Sequence, residues 1–533
     1  MKQKIIIIGT LILVTLVLYF VMLPPINISS PAFWSFLFMI IFIAIGTRAL
    51  GQLGFNGTVF YLKEPTLSKP TKIGLIIIGV AFVVLLLINL INAPIFNAKA
   101  YYERIDINND GNFTKDVKEV DFTTTPLLDK ASSEKLGDRV MGQMPDLVSQ
   151  FTVSDAYTQV NYKDSIVRVT PLEYADTIRY LTNRNNGTEG YIIVNSVSGE
   201  SELVRLEDGM TYMPSAILFE DLERKLRFTY PTEIFGETNF EIDESGKPFW
   251  VTSTLKYVGI GLRPEVSGVI ILDPVTGNSQ KYNLKEVPTW VDHVQPSGLI
   301  INQVTDWGKY KNGFINSILG QKEVVATTRG YNYIKIDKDI YLYTGITSVI
   351  ADESNIGFIL SNLRTKETTF YPVAGAEEFS AMASAEGQVQ QMKYESTFPL
   401  LINLNNKPTY LVSLKDNAGL VKMYGFIDIE DYQKVVVTDA SEGIEKAAKN
   451  YLGDAEINVA ESDLVIEDIK VKTITNAVID GTTMYYITDQ NDKKYKVSIK
   501  VGEATLPYIK VGSKINVSYK RTDGMIEIVK VNY

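Results

Sequence analysis

An uncharged apolar run, Ile73–Ile91, constrains this chain more strongly than any other stretch. As a helix it is about long enough to cross the hydrocarbon core of a bilayer, and a single segment in lipid can satisfy its own backbone amides only as a helix. A helix on the surface of a soluble domain would carry a polar stripe, and this run has none. We therefore predict a membrane-spanning helix here.

Two further apolar runs precede it. Ile5–Leu23 has the same character, and the run around Phe33–Ile45 reaches spanning length if it extends from Ile26 to Gly46. A secretory signal is the alternative for the first run, but the PPINISS that follows has no convincing small-x-small cleavage site. Residues 1–93 are therefore predicted to form an anchor of three transmembrane helices.

The basic residues predict the orientation of this anchor. The link between the first two runs is uncharged, whereas the amino terminus and the second link carry Lys2, Lys4, Arg48, Lys63, Lys69 and Lys72 against Glu64 alone. The positive-inside rule puts both basic segments in the cytoplasm. We expect a multi-pass protein of the cell membrane, with the lipid bilayer as one partner and the chain after about residue 92 extracytoplasmic.

Composition excludes several kinds of chemistry. The chain of 533 residues has no cysteine, so it has neither disulfides nor thiolate catalysis nor cysteine metal sites. A single histidine excludes the commonest zinc arrangements. The net charge of −10 argues against nonspecific nucleic-acid binding, which depends on Lys and Arg neutralising phosphates. No nucleic-acid partner is expected.

Residues 94–215 are predicted to form a connector and a first α+β region. Asp106–Gly111 imitates the start of a calcium loop, but the twelfth position is Val117 where an EF-hand needs glutamate, so an Asn-Asp-Gly turn is favoured. Leu127–Phe151 and Pro171–Asn183 have helical spacing of apolar residues. No metal site is predicted.

An internal repeat follows. Gly190–Gly199, Gly268–Gly277 and Gly357–Lys366 each form a β-strand pattern that ends in turn residues and is followed by a return strand. A second element recurs beside these hairpins, since the helix-like stretches Phe219–Arg227 and Ala374–Gln391 each lead to a further hairpin.

The two further hairpins contain the similar pieces GKPFWVTS and NKPTYLVS. Residues 216–345 and 346–460 are therefore each predicted to contain a helix packed on a four-stranded antiparallel meander, with one face of each strand buried.

These units resemble PepSY-type modules, which are small extracytoplasmic α+β domains. The resemblance rests on FEIDESGKPFWV with ILDPVTG, and on INLNNKPTYLV with FIDIED. It implies regulation of an extracytoplasmic peptidase by inhibition or chaperoning. The whole chain also resembles a group of uncharacterised bacterial multi-pass membrane proteins, through EVPTWVDHV and SNIGFILSNLRTKETTFYPVAGAEEFSAMASAEGQVQ. That second likeness implies no activity.

Residues 461–533 contain five β patterns and predict a small OB-like barrel. Its second and third strands carry Tyr485, Tyr486 and Tyr495, which are candidate partner-binding residues. The aromatic-rich segment Glu286–Tyr343, with Trp290, Trp307 and Tyr310, lines either a groove for a partner or the core, and the core is favoured.

No catalytic residue is predicted. Asp292 precedes the lone His293, but on a strand neighbours point to opposite faces, and no G-x-S-x-G motif is present. Two acidic groups, Glu241/Asp243/Glu244 and Asp428/Glu430/Asp431, could serve glycoside hydrolysis or simply form solvated turns, and turns are favoured. Nucleotide-binding glycine motifs are absent, so no cofactor is expected.

Together these patterns predict a membrane-anchored α+β protein with three amino-terminal transmembrane helices, tandem helix-plus-meander modules and a carboxy-terminal OB-like barrel. The favoured function is that of a non-enzymatic envelope protein whose extracytoplasmic modules bind protein or cell-wall partners. The alternatives are a PepSY-like regulator of an extracytoplasmic peptidase and a hydrolase of envelope polymers.

Overall fold

The computed structural model describes residues 2–51, 53–55, 60–62, 68–349, 354–453, 465–479, 482–502, 505–519 and 525–532. Its contacts divide the chain into two units. One unit comprises Met1–Phe113, Phe122–Leu401 and Thr409–Ala447, and the other comprises Thr114–Asp121, Ile402–Pro408 and Ala448–Tyr533.

Four helices and one short hairpin open the first unit: α1 (Lys2–Met22), α2 (Pro31–Gly51), β1 (Leu53–Phe55), β2 (Phe60–Leu62), α3 (Lys69–Asn92) and α4 (Pro94–Tyr102). Pro94 ends α3, because a residue before proline is driven out of the helical region and Ala93 is extended. Proline is tolerated in the first turn of a helix, so α4 starts immediately.

The apolar character of these helices matches the sequence prediction in part. Within the described residues, Thr71–Asn92 is the segment long and apolar enough to cross a membrane, and only 6% of its most apolar part is buried. The apolar stretches Ile8–Met22 and Pro31–Thr47 are shorter. Length and composition therefore support one spanning helix and not the three that were expected.

The connecting elements β3 (Ile107–Asn108) and α5 (Phe113–Asp116) lead to the first sheet. Its strands are β4 (Phe151–Val153), β5 (Thr158–Tyr162), β6 (Ser165–Tyr174), β7 (Thr188–Asn195) and β8 (Ser201–Met210). Helix α6 (Lys130–Gly142) precedes the sheet, and α7 (Thr177–Asn183) lies between β6 and β7. Two helix predictions are corrected here. Leu127–Phe151 is helical only within α6, and the first four residues of Pro171–Asn183 belong to β6. The Asp176 carboxylate accepts from two backbone amides and starts α7 three residues after the strand ends.

Helix α8 (Leu222–Thr229) precedes the second sheet, whose strands are β9 (Ile234–Ile242), β10 (Pro248–Val258), β11 (Leu262–Leu272) and β12 (Ser279–Asn283). These four strands form an antiparallel meander in the order β12-β11-β10-β9. The predicted helix-plus-meander is confirmed here, but the burial differs from the prediction. One face, with Phe240 and Trp250, packs in a core shared with α8. The other face, with Val251 and Val269, packs under Val291 and Val294 from the aromatic-rich segment.

The third sheet contains α9 (Ser297–Tyr310), α10 (Gly313–Ile315), β13 (Val325–Thr327), β14 (Asn332–Ile336), β15 (Asp339–Ser348), β16 (Ser354–Asn362), β17 (Thr368–Tyr371) and β18 (Gly375–Ala376). Strands β14, β15, β16 and β17 form another antiparallel meander, and β3 joins β17 in parallel. Asp106–Gly111, which imitates the start of a calcium loop, thus contains strand β3 and a turn. In this turn the Asn108 side chain accepts a hydrogen bond from the Asp110 amide.

The fourth sheet is built from α11 (Glu378–Gln388), β19 (Glu395–Ser396), β20 (Leu400–Leu404), β21 (Lys407–Lys415), β22 (Val421–Asp428) and β23 (Val435–Asp439), and α12 (Ile444–Leu452) follows it. The described part of the chain therefore repeats one pattern four times, a helix followed by four sequential antiparallel strands: α6 with β5–β8 (interrupted by α7), α8 with β9–β12, α9 with β14–β17, and α11 with β20–β23. Sequence analysis identified only the second and fourth of these copies.

The turn between the third and fourth strands of each copy shows the repeat at atomic level. Asn195, Asp273 and Asn362 each accept two hydrogen bonds, from the amides two and three residues later. Asp428 does the same in the fourth copy. These are Asx turns, in which a short polar side chain substitutes for a backbone acceptor.

The second unit ends in a closed barrel of β24 (Val465–Ile479), β25 (Thr482–Asp489), β26 (Lys494–Ser498), β27 (Lys514–Tyr519) and β28 (Ile526–Asn532). The strand order is β24-β25-β26-β28-β27, with β26 and β28 parallel. The expected five-stranded barrel is confirmed. Its core is aliphatic and aromatic, with Tyr495, Val497 and Val517 fully buried.

Candidate functional site

The second helix-plus-meander copy contacts the end of α1, the link between α1 and α2, and the end of α3, and we call this junction the anchor seam. The seam consists of the end of α1, the Ile26–Pro31 link, the end of α3, helix α8 and the β10–β11 turn. Strand β11 begins at the seam, directly after the β10–β11 turn, so one end of the meander lies at the seam.

Two arginines of α8 hold the end of α1. Arg224 Nε donates to the Phe20 carbonyl at 3.2 Å, and Arg227 Nε donates to the Leu23 carbonyl at 3.0 Å. The last carbonyls of a helix lack partners and carry partial negative charge, so a guanidinium is a favourable cap. The Arg224 guanidinium also lies 4.3 Å from the centre of the Phe20 ring.

The β10–β11 turn is fixed to the ends of α2 and α3. The Asn89 side chain both donates to the Ile260 carbonyl, at 3.1 Å, and accepts from the Ile260 amide, at 2.8 Å. The next residue, Gly261, donates its amide to the Ser29 carbonyl at 2.9 Å. A β-carbon at Gly261 would lie 2.5 Å from Pro31, and its φ is +74°, so glycine is required there.

A charged network strengthens the seam just beyond α4. Arg104 is mostly buried, and its Nη1 lies 2.6 Å from Asp306 on α9. Its Nη2 donates to the Pro264 carbonyl of β11. Glu265, on the same strand, accepts from Lys366 at 2.9 Å and from Gln303. Helix α9 and the β16–β17 turn are thereby tied to the segment that leaves α3.

The strongest candidate for chemistry is a buried acidic pair in the same unit, Glu241 and Asp292. Glu241 is fully buried, because its side of β9 is covered by the aromatic-rich segment, and its carboxylate accepts from the amides of Asp292 and His293 at 2.8 and 3.2 Å. Asp292 in turn accepts from the Asn161 amide at 2.7 Å.

His293 contacts β5, the strand that contains Asn161, and its Nε2 lies 2.7 Å from the Gln159 carbonyl. A carbonyl oxygen only accepts, so Nε2 carries the proton. Asp292 and His293 thus bind the free edge of β5 through separate partners, and the Asp292 carboxylate does not orient the imidazole. Burial lowers the pKa of His293 to about 4, which keeps the ring neutral.

The electrostatics of the pair favour protonation. Burial raises the pKa of the Glu241 carboxyl, and the nearby Asp292 carboxyl raises it further. Burial likewise raises the pKa of Asp292. The compensating cation is Arg364, whose Nη2 lies 3.6 Å from Asp292 and which also pairs with Asp339.

This arrangement suits a buried structural clamp better than a hydrolytic site. Glu241 is fully buried and Asp292 is only 3% exposed, so a polymer chain has no access to either carboxylate. The other acidic residues of the predicted groups form turns, since Asp243 accepts from the Ser245 and Lys247 amides and Asp428 from those of Glu430 and Asp431. Among the described residues no group of three or more His, Asp or Glu residues could hold a metal ion.

The three candidate aromatic residues of the Glu286–Tyr343 segment contact other rings: Trp290 and Trp307 are half-buried against core clusters, and Tyr310 is buried. Trp290 lies 5.1 Å from the Phe249 ring and Trp307 lies 6.3 Å from Phe370. Tyr310 is buried between Tyr101 and Phe314.

The barrel tyrosines divide into two kinds. Tyr485 and Tyr486 are half-buried on β25. Tyr495 is fully buried, with its ring 5.8 Å from Tyr519 inside the barrel. Its ring has no surface to offer a partner, so only Tyr485 and Tyr486 remain candidates in this unit.

Sequence reasoning missed most of the seam. Arg224, Arg227, Arg104 and Asn89 are ordinary surface residue types, and no local pattern marks their partners 160 to 204 residues away. The polar Asn89 at the end of an otherwise apolar run was the one available signal. No family model matches the chain, and no curated protein matches it either.

Proposed function

We propose that this chain is a non-enzymatic, multi-pass membrane protein of the cell envelope whose extracytoplasmic modules bind protein or cell-wall partners. In this proposal α1, α2 and α3 cross the membrane in alternating directions, and the amino terminus and the link before α3 are cytoplasmic. Residues after about 92 are then extracytoplasmic.

One observation carries the proposal. The end of α1, the link just before α2 and the end of α3 all contact the same helix-plus-meander copy, as expected for three helices that run out, in and out again. The basic residues lie at the opposite ends, where the positive-inside rule requires them. The apolar side chains of α3 are largely exposed, as a helix surrounded by lipid requires.

Cysteine labelling tests the orientation without background, because the chain has no cysteine. We expect a membrane-impermeant maleimide to label Thr276→Cys, in the exposed β11–β12 turn, on intact spheroplasts. Lys69→Cys, at the exposed start of α3, should be labelled only after permeabilisation. Labelling of Lys69→Cys in intact cells, or protection of Thr276→Cys, would overturn the proposed topology.

The binding half of the proposal is tested by cross-linking the full-length protein in its membrane. We expect an envelope protein or a cell-wall fragment to be recovered repeatedly, and to a lesser extent with Tyr485→Ala/Tyr486→Ala if the barrel contributes. Repeated recovery of no envelope component would contradict it.

A PepSY-like regulatory role is the second candidate, supported by the fourfold repetition of the helix-plus-meander pattern. Deletion of the gene should then change the activity of a secreted peptidase, and the change should be reversed by the full-length chain. Unchanged peptidase activity would contradict the regulatory role and would not affect the first proposal.

A further inference from the structure

The insertion between α9 and β14 carries an uncharged segment, Gly313–Gly320, which we call the apolar tip. Three of its side chains are strongly exposed: Ile315 by 73%, Ile318 by 55% and Leu319 by 81%. The other three copies have shorter links between the helix and the first strand of the meander. The fold of the third copy does not require these side chains, since they make no core.

Two side chains of the apolar tip form hydrogen bonds to backbone groups in the tip and beside it. The Asn316 side chain donates to the Lys322 carbonyl at 2.9 Å and accepts from the Lys322 amide at 3.1 Å. The Ser317 hydroxyl donates to the Phe314 carbonyl at 2.7 Å. Polar groups thus turn inward while apolar side chains turn outward, which is the arrangement that an apolar solvent demands.

Contacts connect the apolar tip to the end of α3. The Tyr101 hydroxyl donates to the carbonyl of Asn92, the last residue of α3, at 3.2 Å. The Tyr101 ring lies 5.9 Å from Tyr310, and the Tyr310 ring stacks at 6.5 Å on Phe314 in the tip. Tyrosine is favoured at membrane–water interfaces, where one end of the ring is apolar and the other wet.

Neighbouring residues extend the same apolar surface. On α4, directly after α3, Ile95 and Phe96 are exposed by 50% and 65%, and α10 contacts α4. The apolar tip is bordered by the exposed Lys309, Lys311 and Lys322 and by Glu323, which pairs with Lys311 at 2.9 Å, so the border carries a net positive charge. An apolar centre with a basic border complements an acidic lipid surface.

We propose that the apolar tip inserts Ile315, Ile318 and Leu319 into the outer leaflet beside α3, so that the extracytoplasmic body has a lipid contact besides its spanning helices. This inference rests on the proposed function, because it requires α3 to cross the membrane. The occupant is the lipid surface, since the tip adjoins the end of the spanning helix and has a basic border.

Depth-dependent quenching tests the proposal on the full-length protein. The probe is a nitrobenzoxadiazole dye on Leu319→Cys, in nanodiscs of phosphatidylcholine and phosphatidylglycerol that contain lipids with a quencher high on the acyl chain. We expect several-fold quenching and a blue-shifted emission. The matched control is the dye on Thr276→Cys, which should not be quenched. Thr276 lies in the turn at the far end of β11, a strand of 11 residues that begins at the anchor seam and is roughly 35 Å long.

The dye on Phe82→Cys, on an exposed side of α3, separates the two proposals. If the Phe82 dye is quenched by deeply placed quenchers and the Leu319 dye is not quenched at all, the spanning helix stands and the lipid contact of the tip is overturned. A blue-shifted but unquenched Leu319 dye would show that protein, such as a second copy of the chain, covers the tip, and this also overturns it. Absence of quenching at Phe82 would overturn the proposed function itself.

Discussion

Two turns of the repeat, Asp273–Gly277 in the second copy and Asn362–Lys366 in the third, have the same backbone and different surroundings. In each, the first side chain accepts two amides and the fifth residue is left-handed, with φ of +70° at Gly277 and +68° at Lys366. In each turn, the carbonyl of the second residue also accepts hydrogen bonds from two successive backbone amides. The Pro274 carbonyl accepts from Thr211 and Tyr212, and the Leu363 carbonyl accepts from Val294 and Gln295.

The third and fifth positions differ. Val275 packs in an apolar core, whereas its counterpart Arg364 pairs with Asp339 and approaches the buried Asp292. Gly277 lies under the Tyr212 ring, whereas Lys366 reaches Glu265 of the anchor seam. The comparison teaches that the Asx residue and the left-handed position determine the turn, and that tertiary contacts determine which side chains it carries.

The largest effect is expected when the third copy receives the side chain of the second. Arg364→Val leaves Asp292 and Asp339 without their cation, and removing one partner of a buried pair costs about 3 kcal/mol of unfolding free energy. Hydrogen exchange measured by mass spectrometry should show lost protection in β15, β16 and the 291–295 segment. The matched control, Val275→Ala, should cost about 1 kcal/mol and affect only the second copy. Equal protection in Arg364→Val and wild type would contradict the assigned role.

The second prediction concerns the left-handed position. A β-carbon on Gly277 would lie 2.3 Å from the Tyr212 ring, and the positive φ adds strain, so Gly277→Ala should cost about 2 kcal/mol. At Gly199, the same position in the first copy, a β-carbon would be 3.5 Å from Leu128. Gly199→Ala should therefore cost only about 1 kcal/mol, from backbone strain alone. Denaturant titration in detergent distinguishes the two, and equal costs would refute the steric explanation.

The pH dependence of the unfolding free energy tests the charged surroundings of the third copy's turn. Arg364 of this turn approaches Asp292, which neighbours Glu241, whereas Val275 in the second copy's turn has apolar surroundings. Burial and the neighbouring Asp292 carboxyl raise the pKa of Glu241 well above its usual 4.5, so the native state binds more protons between the usual and the raised pKa. Stability must then fall as pH rises through that interval. His293, whose pKa is lowered to about 4, acts in the opposite direction below its usual 6.5.

The clear window therefore lies between the usual pKa of histidine and the raised pKa of Glu241. There we expect the free energy of unfolding to fall by about 1 kcal/mol per pH unit, and Glu241→Gln should reduce the slope, leaving the contribution of Asp292, whose pKa burial also raises. The exposed Glu244→Gln is the control and should leave the slope unchanged. A slope that is unchanged in Glu241→Gln would show that other groups are responsible for the titration.

The smallest effect concerns the fifth position of the third turn. Lys366→Met removes the ion pair with Glu265 but keeps the left-handed strain, and should cost about 1 kcal/mol, the upper range for a partly exposed pair. Lys366→Gly loses the same pair and relieves about 1 kcal/mol of backbone strain, so its net change should be near zero. Thermal unfolding of both variants is the measurement. A larger loss in the glycine variant would mean that Lys366 does more than hold the seam.

Local patterns anticipated much of the fold. The hairpins ending at Gly199, Gly277 and Lys366, the meander of the second copy and the barrel strands all followed from period-two alternation and turn residues. The helix expected from Pro171 failed because Leu172 and Ala175 also suit a strand end, and capping by Asp176 decided the boundary. Two of the four repeats escaped notice, since the first and third copies share the turn geometry of the others but not the GKPFWVTS motif.

The sequence by itself determined what neighbouring residues decide: the apolar helix Thr71–Asn92, the Asx turns, the strand periods and the barrel strands. It predicted Glu241 as a turn residue, because alternation shows which side of a strand faces away from Phe240 but not what covers that side. Only the tertiary structure put the 291–294 segment there, buried the carboxylate and joined α8 and Asn89 to partners far along the chain. Burial depends on the sum of long-range contacts, and no local pattern contains that sum.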